Sequence, residues 1–305
     1  MNVFGLEVGG TKTIALNGDL SGNVKSKILE NTKNDPNDKK VLVDFIKSLY
    51  NKVYANSEAD LISMTFPGAI NSRGIVAFTP NLGGWKDYDI LSLIKNTFSK
   101  DAIVENDANA QALAEKFYGK GRDYSNFIYL TIGTGIGGGI IIDDKLYRGS
   151  NGWAGELGHM VISEEGPRCG CGRNGCFEAF SSGTSIAKYA SDNLTKDSSL
   201  NKLTGITGKD VFDAWYNGDQ YAGEVIERTL KYTSIGLANL VNIFDPEAII
   251  IGGGITKNNN EFIEGLKSQV KSELANYSRD LNIIRTSESL IEKAPLALAK
   301  YYLDK

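Results

Sequence analysis

The sequence predicts an α/β fold built twice over, with a cleft between its two halves. Three features carry that prediction. Residues 3–14 and 128–142 follow one plan: an apolar strand, a glycine turn and a second apolar strand. Each plan is followed by segments whose apolar residues recur at helical spacing. Three glycine clusters, finally, each come directly after an apolar strand, where a backbone turn can approach a bound anion.

The first element is a strand over 3–8, turned at Gly9-Gly10 into a second strand over 13–16. Asn17-Gly18-Asp19 and Leu20-Ser21-Gly22 read as a further hairpin connection. Asp35-Pro36 opens a helix through Val41, Leu42, Phe45, Ile46 and Leu49, spaced for one helical face. Residues 61–66 form a buried strand that stops at Pro67-Gly68, 103–104 a short strand and 108–117 a helix. The second plan is a strand over 127–132, a glycine turn and a strand over 139–142. Helices follow around 211–216 and 223–244, then a strand over 248–251 runs into Gly252-Gly253-Gly254. The tail, 291–303, is helical, with Pro295 at its start or at a kink. The expected domains are 1–118, with the last helix (290–305) packing back on it, and 119–289. The polar, glycine-containing run from Gly119 to Asp123 marks the boundary.

Composition narrows the function. A chain 41% hydrophobic and 23% charged is an ordinary globular protein, not a disordered one. A net charge of -4 gives no electrostatic reason to bind nucleic acid or an anionic membrane. The longest apolar stretch, 127–142, is broken by five glycines and is no membrane span. The chain opens on an apolar strand without a basic leader, so a cytoplasmic location is expected. Three cysteines without a leader argue against a disulfide framework.

The glycine clusters are Gly5-Leu6-Glu7-Val8-Gly9-Gly10-Thr11-Lys12, Gly133-Thr134-Gly135-Ile136-Gly137-Gly138-Gly139 and Gly252-Gly253-Gly254. Any one alone is satisfied by a tight turn; three after apolar strands suggest phosphate-binding turns. Gly133, Gly135 and Gly138 also match G-x-G-x-x-G. A dinucleotide fingerprint must open a helix, however, and these glycines lead into Ile140-Ile141-Ile142-Asp143-Asp144, a β-branched run ending in a turn. No G-x-x-x-x-G-K-[ST] occurs, which excludes a Walker-type ATPase.

The only histidine and all three cysteines fall within residues 159–176: His159, Cys169, Cys171 and Cys176. Three thiols and one imidazole complete a tetrahedral zinc set. Four protein ligands close such a site, so it is structural rather than hydrolytic. Glu105-Asn106-Asp107-Ala108-Asn109 joins a short strand to a helix. Its polar residues serve as N-caps, and beside phosphate-binding turns Asp107 is also suited to be a general base.

Together these residues resemble the ROK family (repressors, open reading frames and kinases) of the actin-like ATPase superfamily, along nearly the whole chain. Gly9-Gly10-Thr11-Lys12 is similar to its first phosphate loop and 133–139 to its second. Pro67-Gly68 and Asn81-Leu82-Gly83-Gly84-Trp85 resemble its sugar-side loops. Glu105 to Asn109 resembles its catalytic segment. Glu156-Leu157-Gly158-His159, with Cys169-Gly170-Cys171-Gly172 and Gly175-Cys176-Phe177-Glu178, resembles its zinc signature. Asp245-Pro246-Glu247 into Gly252-Gly253-Gly254 resembles its adenosine side.

The resemblance implies a duplicated actin-like ATPase (ribonuclease H-like) fold, ATP with Mg²⁺ as phosphoryl donor, a structural Zn²⁺, a hexose acceptor and a homodimer or dimer of dimers. It makes Asp107 the base. Gly68, Asn81, Asn106, Asp107, Glu156, His159 and Glu178 become the sugar site. Glu7, Gly9, Gly10, Thr11, Lys12, Gly133, Thr134, Gly135, Gly138, Gly253 and Gly254 become the ATP site. Glucose 6-phosphorylation leads, followed by N-acetylmannosamine or N-acetylglucosamine kinase and then fructokinase; a sugar sensor without turnover is the reading from another class. The repressor branch carries a DNA-binding segment before the first loop, where this chain has four residues before Gly5. Two departures stand out. The family usually has Asp at Glu7, although fructokinase-like members carry Glu, and the longer side chain bears on Mg²⁺ and phosphate geometry. Alternatively, Glu7 is a strand-end residue paired with Lys12. Thr65 stands where a glycine is common.

Overall fold

The computed structural model describes residues 1–55, 57–79, 82–257, 259–274, 281–287 and 290–304. By contacts the chain forms two compact units, residues 1–125 with 139–155 and 287–305, and residues 126–138 with 156–286.

The first unit starts with β1 (Val3–Val8), β2 (Lys12–Gly18), β3 (Val24–Asn31), α1 (Lys40–Val53) and β4 (Leu61–Phe66). The short strands β5 (Ala69–Ile70), β6 (Ile75–Phe78) and β7 (Tyr88–Asp89) form a small sheet of their own. Then come α2 (Ile90–Phe98), β8 (Ala102–Asn106) and α3 (Asp107–Tyr118). β9 (Phe127–Ile132), β10 (Ile136–Ile142) and β11 (Lys145–Leu146) open the second plan. α4 (Phe177–Ser181), α5 (Gly183–Asp192), α6 (Gly208–Tyr216), α7 (Gln220–Phe244), β12 (Ala248–Gly252), α8 (Asn260–Glu273) and β13 (Asn282–Arg285) follow, and α9 (Ala294–Leu303) comes last.

The two five-stranded sheets have the orders β3-β2-β1-β4-β8 and β11-β10-β9-β12-β13. Numbered within each sheet, both read 3-2-1-4-5, which is the duplication the paired strand plans predict. In the first sheet β1 pairs antiparallel with β2 and parallel with β4, and β4 pairs parallel with β8. In the second, β12 lies parallel to both β9 and β13. The central strands β1, β4, β9 and β12 read as near-continuous apolar runs because both faces are covered.

α9 is buried through Leu296, Ala297, Leu298 and Ala299. Ser63 of β4 donates its hydroxyl to the Pro295 carbonyl at 2.6 Å. The final helix thus packs within the first unit, and Pro295 takes the first turn, where its missing N–H costs nothing.

Two expected boundaries move. α1 starts at Lys40, not at Asp35-Pro36, because Asp35 and Asp38 accept from the backbone N–H groups of Asn37 and Lys40 at 2.8 and 2.9 Å and hold turns instead. β10 starts at Ile136, not at Gly139, so Gly137 and Gly138 lie in a strand rather than a turn. A Cβ on Gly139 would stand 2.6 Å from Ala112 Cβ and 2.9 Å from the Ala108 carbonyl oxygen. Helix α3 crosses the strand too closely for any side chain.

Candidate functional site

In the first unit, β1 and β2 meet at a turn in which the Gly9 N–H donates to the Lys12 carbonyl at 2.9 Å. Thr32 Oγ1 donates to the Gly9 carbonyl at 2.7 Å and shares a 2.9 Å hydrogen bond with Thr13 Oγ1. These bonds fix the turn from behind while Gly10, Thr11 and Lys12 stay exposed. Glu7 lies two residues ahead of Gly9. Burial, and then the Asp107 carboxylate, push its carboxyl up to about 8. Among the described residues no cation stands within ion-pair distance of Glu7, so the pairing with Lys12 does not form. Thr65 is its register partner on β4, and Glu105 on β8 is the partner of Thr65, so the three side chains share one face of the sheet. Thr65 is fully buried, with its hydroxyl 3.4 Å from the Leu6 carbonyl.

Asp107 is the first residue of α3, and Asn106 caps the helix by accepting from the Asn109 N–H at 3.0 Å. Asn106 Nδ2 donates to the Gly68 carbonyl at 3.0 Å, which ties the start of α3 to the Pro67-Gly68 turn. Glu105 is buried beneath them and accepts from the Asn106 N–H, from Asn109 Nδ2 and from Arg148 Nε. Arg148 has no motif around it, and nothing in the sequence pairs it with Glu105. Asn81 lies outside the described residues.

In the second unit the turn between β9 and β10 is Gly133-Thr134-Gly135. The Gly133 N–H donates to the Gly135 carbonyl at 2.9 Å. Glu178 on α4 accepts from the Ile136 N–H at 2.8 Å. Beside the same turn the Gly183 N–H, at the start of α5, donates to the Gly133 carbonyl at 2.7 Å, and Gly208 at the start of α6 abuts Gly183. Gly253 has φ +94°, and a Cβ there would lie 2.3 Å from the Ile132 carbonyl oxygen, so only glycine lets β12 turn back onto β9. The glycine clusters signalled Gly133 and Gly253; Gly183 and Gly208 stand alone in sequence, which is why the pattern missed them.

His159, Cys169, Cys171 and Cys176 converge, with all four ligand atoms within 4.8 Å of one another. His159 Nδ1 is 3.7 Å from Cys169 Sγ, and Cys171 Sγ is 3.6 Å from Cys176 Sγ. Tetrahedral thiolates about 2.3 Å from zinc sit about 3.8 Å apart, so the set fits that ion. The turn is tied by the Cys169 N–H to the Arg173 carbonyl at 2.8 Å and the Gly172 N–H to the Cys169 carbonyl at 3.0 Å. Burial raises the Cys169 and Cys176 thiols. At Cys171 burial also raises, but hydrogen bonds from the Arg173 backbone and side chain and from the other two thiols outweigh it and bring the group down to about 6. His159 Nε2 faces the other way, 4.0 Å from Glu156 Oε2. Desolvation holds the Glu156 carboxyl above its usual range, with smaller effects from His159, which lowers it, and Glu178, which raises it. Glu156, His159 and Glu178 thus lie around one knuckle.

No helix among the described residues is long and apolar enough to cross a membrane. A model of the ROK family matches residues 3–300. The chain is 34% identical over 264 residues to the glucokinase of Thermotoga maritima, covering 84% of this chain and 83% of that one. It is also 34% identical over 237 residues to the xylose repressor of Bacillus spizizenii, covering 77% of this chain and 59% of the repressor. The crystal structure of a ROK family glucokinase from Streptomyces griseus in complex with glucose and AMPPNP superposes with a TM-score of 0.85 at 29% identity, covering 98% of each chain.

Proposed function

This chain belongs to the ROK family and has its duplicated actin-like ATPase fold, and from that premise we propose that it is an ATP-dependent hexose kinase acting on the 6-hydroxyl, with glucose as first substrate. The observation that carries the reading is the placement of Asp107. It begins a helix whose first turn is fixed by Asn106, Asn109 and Glu105, beside the Glu7 carboxyl, which has no cation within ion-pair distance among the described residues.

In this reading Asp107 accepts the proton of the sugar hydroxyl as that oxygen attacks the γ-phosphorus and the bond to the β–γ bridging oxygen breaks, with ADP leaving. Gly68, Asn81, Asn106, Glu156, His159 and Glu178 take the remaining hydroxyls. The Gly9-Gly10-Thr11-Lys12 turn, and the Gly133-Thr134-Gly135 turn with Gly138, hold the phosphates, with Gly253 and Gly254 toward the adenosine. Glu7 holds Mg²⁺, which when bound offsets charge on the β and γ oxygens. Zinc at His159, Cys169, Cys171 and Cys176 fixes the knuckle, so that His159 presents Nε2 in one orientation.

Repressors among the relatives support a second reading, a regulator that binds sugar without turning it over. One coupled assay decides between them. With ATP and Mg²⁺, glucose, mannose, fructose, glucosamine, N-acetylglucosamine and N-acetylmannosamine are compared. Turnover highest with glucose is the expected result. Sugar binding by calorimetry with no turnover on any of the six sinks the kinase reading.

A further inference from the structure

We infer that Arg148 and Glu105 are positioning residues for phosphoryl transfer, a buried pair that sets where α3 holds Asp107 and links that turn to α9. The inference rests on the reading of Asp107 as the base.

The Glu105 side chain is only 4% exposed. Its Oε1 accepts from the Asn106 N–H at 2.9 Å and from Asn109 Nδ2 at 3.1 Å. One oxygen therefore grips the residue before Asp107 and the second residue after it. Oε2 accepts from Arg148 Nε at 2.6 Å. Arg148 comes from the chain just after β11, and its guanidinium carbon lies 5.5 Å from the ring centre of Tyr301 and 5.2 Å from that of Tyr302, both on α9. The Leu146 N–H donates to the Tyr301 hydroxyl at 3.2 Å, so the segment that carries Arg148 is itself anchored on that helix.

Stability alone does not account for this arrangement. A buried ion pair is often matched or bettered by apolar side chains of equal volume. This one also leaves Arg148 Nη2 and Asn109 Oδ1 buried without hydrogen-bond partners among the described residues, which costs free energy. What the pair does provide is direction. Nε on Oε2 fixes the plane of the carboxylate, and that plane lets Oε1 meet both Asn106 and Asn109. If the carboxylate rotates, both contacts loosen and the first turn of α3 shifts. A reacting group misplaced by about 1 Å can cost about a hundredfold in rate.

The test compares Arg148→Ala, Arg148→Lys and Asp107→Asn with the wild type, measuring kcat, KM for ATP, sugar affinity by calorimetry and thermal midpoint. We expect Arg148→Ala to lower kcat about tenfold to a hundredfold, with KM for ATP within about twofold. Millimolar guanidinium should restore part of the lost kcat. Lysine should restore less than guanidinium does, because an ammonium lacks the planar fork. Tyr302→Leu leaves the ion pair in place and is the milder variant should Arg148→Ala fail to fold; its kcat should fall less, with the same unchanged KM. If Arg148→Ala, or Tyr302→Leu in its place, keeps wild-type kcat while Asp107→Asn is inactive, the base stands and the positioning role falls. A kcat loss without guanidinium rescue that tracks the thermal midpoint also overturns it. An Asp107→Asn enzyme with full turnover overturns the base reading and this inference with it.

Discussion

The Glu178 carboxylate accepts a hydrogen bond from the Ile136 N–H at 2.8 Å, while its other oxygen lies 3.8 Å from Cys169 Sγ. One side chain therefore joins the start of β10 to the knuckle of His159 and the three cysteines. We predict that Glu178→Ala weakens both nucleotide and sugar binding, each by roughly tenfold, since it leaves a backbone donor unmatched. Glu178→Gln keeps an acceptor for Ile136 and should restore the nucleotide side alone. Calorimetry with both ligands reads this directly. Unchanged nucleotide affinity in Glu178→Ala would show that the link has no consequence.

Asp107→Asn should lower turnover by about a hundred- to ten-thousand-fold while sugar binding largely survives. Asparagine keeps the shape at the first position of α3 but cannot accept the hydroxyl proton. Near wild-type turnover would remove Asp107 from the chemistry.

Protein purified without chelator should contain one zinc per chain by elemental analysis. Cys171→Ser should lower the thermal midpoint and weaken sugar binding together, because the same knuckle carries His159 and stands beside Glu156 and Glu178. Zinc-free protein of full stability would show that the four residues hold no metal.

Glu7 gives a pH signature. Its carboxyl is raised from the ordinary 4.5 to about 8 in the folded chain. Between those values the folded state holds a proton that the unfolded chain has released, so stability should fall as pH rises from about 4.5 to about 8 and then level off. Melting curves of metal- and nucleotide-free protein across that window should show the decline, and Glu7→Gln should flatten it. For activity, Glu7→Asp should keep substantial turnover, whereas Glu7→Gln loses much of it and needs more Mg²⁺. A Gln variant with the wild-type rate and Mg²⁺ dependence would leave Glu7 no metal role.

Much of this was legible because the sequence carries it as local pattern. β4, β9 and α3 follow from apolar runs and spacing to within a residue or two, and the grouping of His159 with Cys169, Cys171 and Cys176 from their closeness in the sequence. What escaped depends on contacts far apart in the chain. Gly137 and Gly138 read as a turn, since glycine weakens strands, yet they continue the strand into Gly139, which α3 passes at Ala108 and Ala112. Asp35-Pro36 reads as a helix start, yet Asp35 and Asp38 use their carboxylates on turns. Arg148 pairs with a residue 43 positions away and packs on rings more than 150 positions on, a relation no window of sequence contains.

Helix α9 also bears on how the chain is made. Its Leu296 and Ala299 fill the small core between β1, β2 and β4 together with Val3, Leu16 and Leu61, yet the ribosome adds them after every residue of the second unit. Domains generally fold as they emerge, N-terminal first. Here the order of completion is inverted: residues 126–138 and 156–286 can close as a unit while the earlier sheet still waits for its last layer. During synthesis the β1–β4 face that α9 will cover stays open the longest, and that is where a nascent chain of this protein would most need a chaperone.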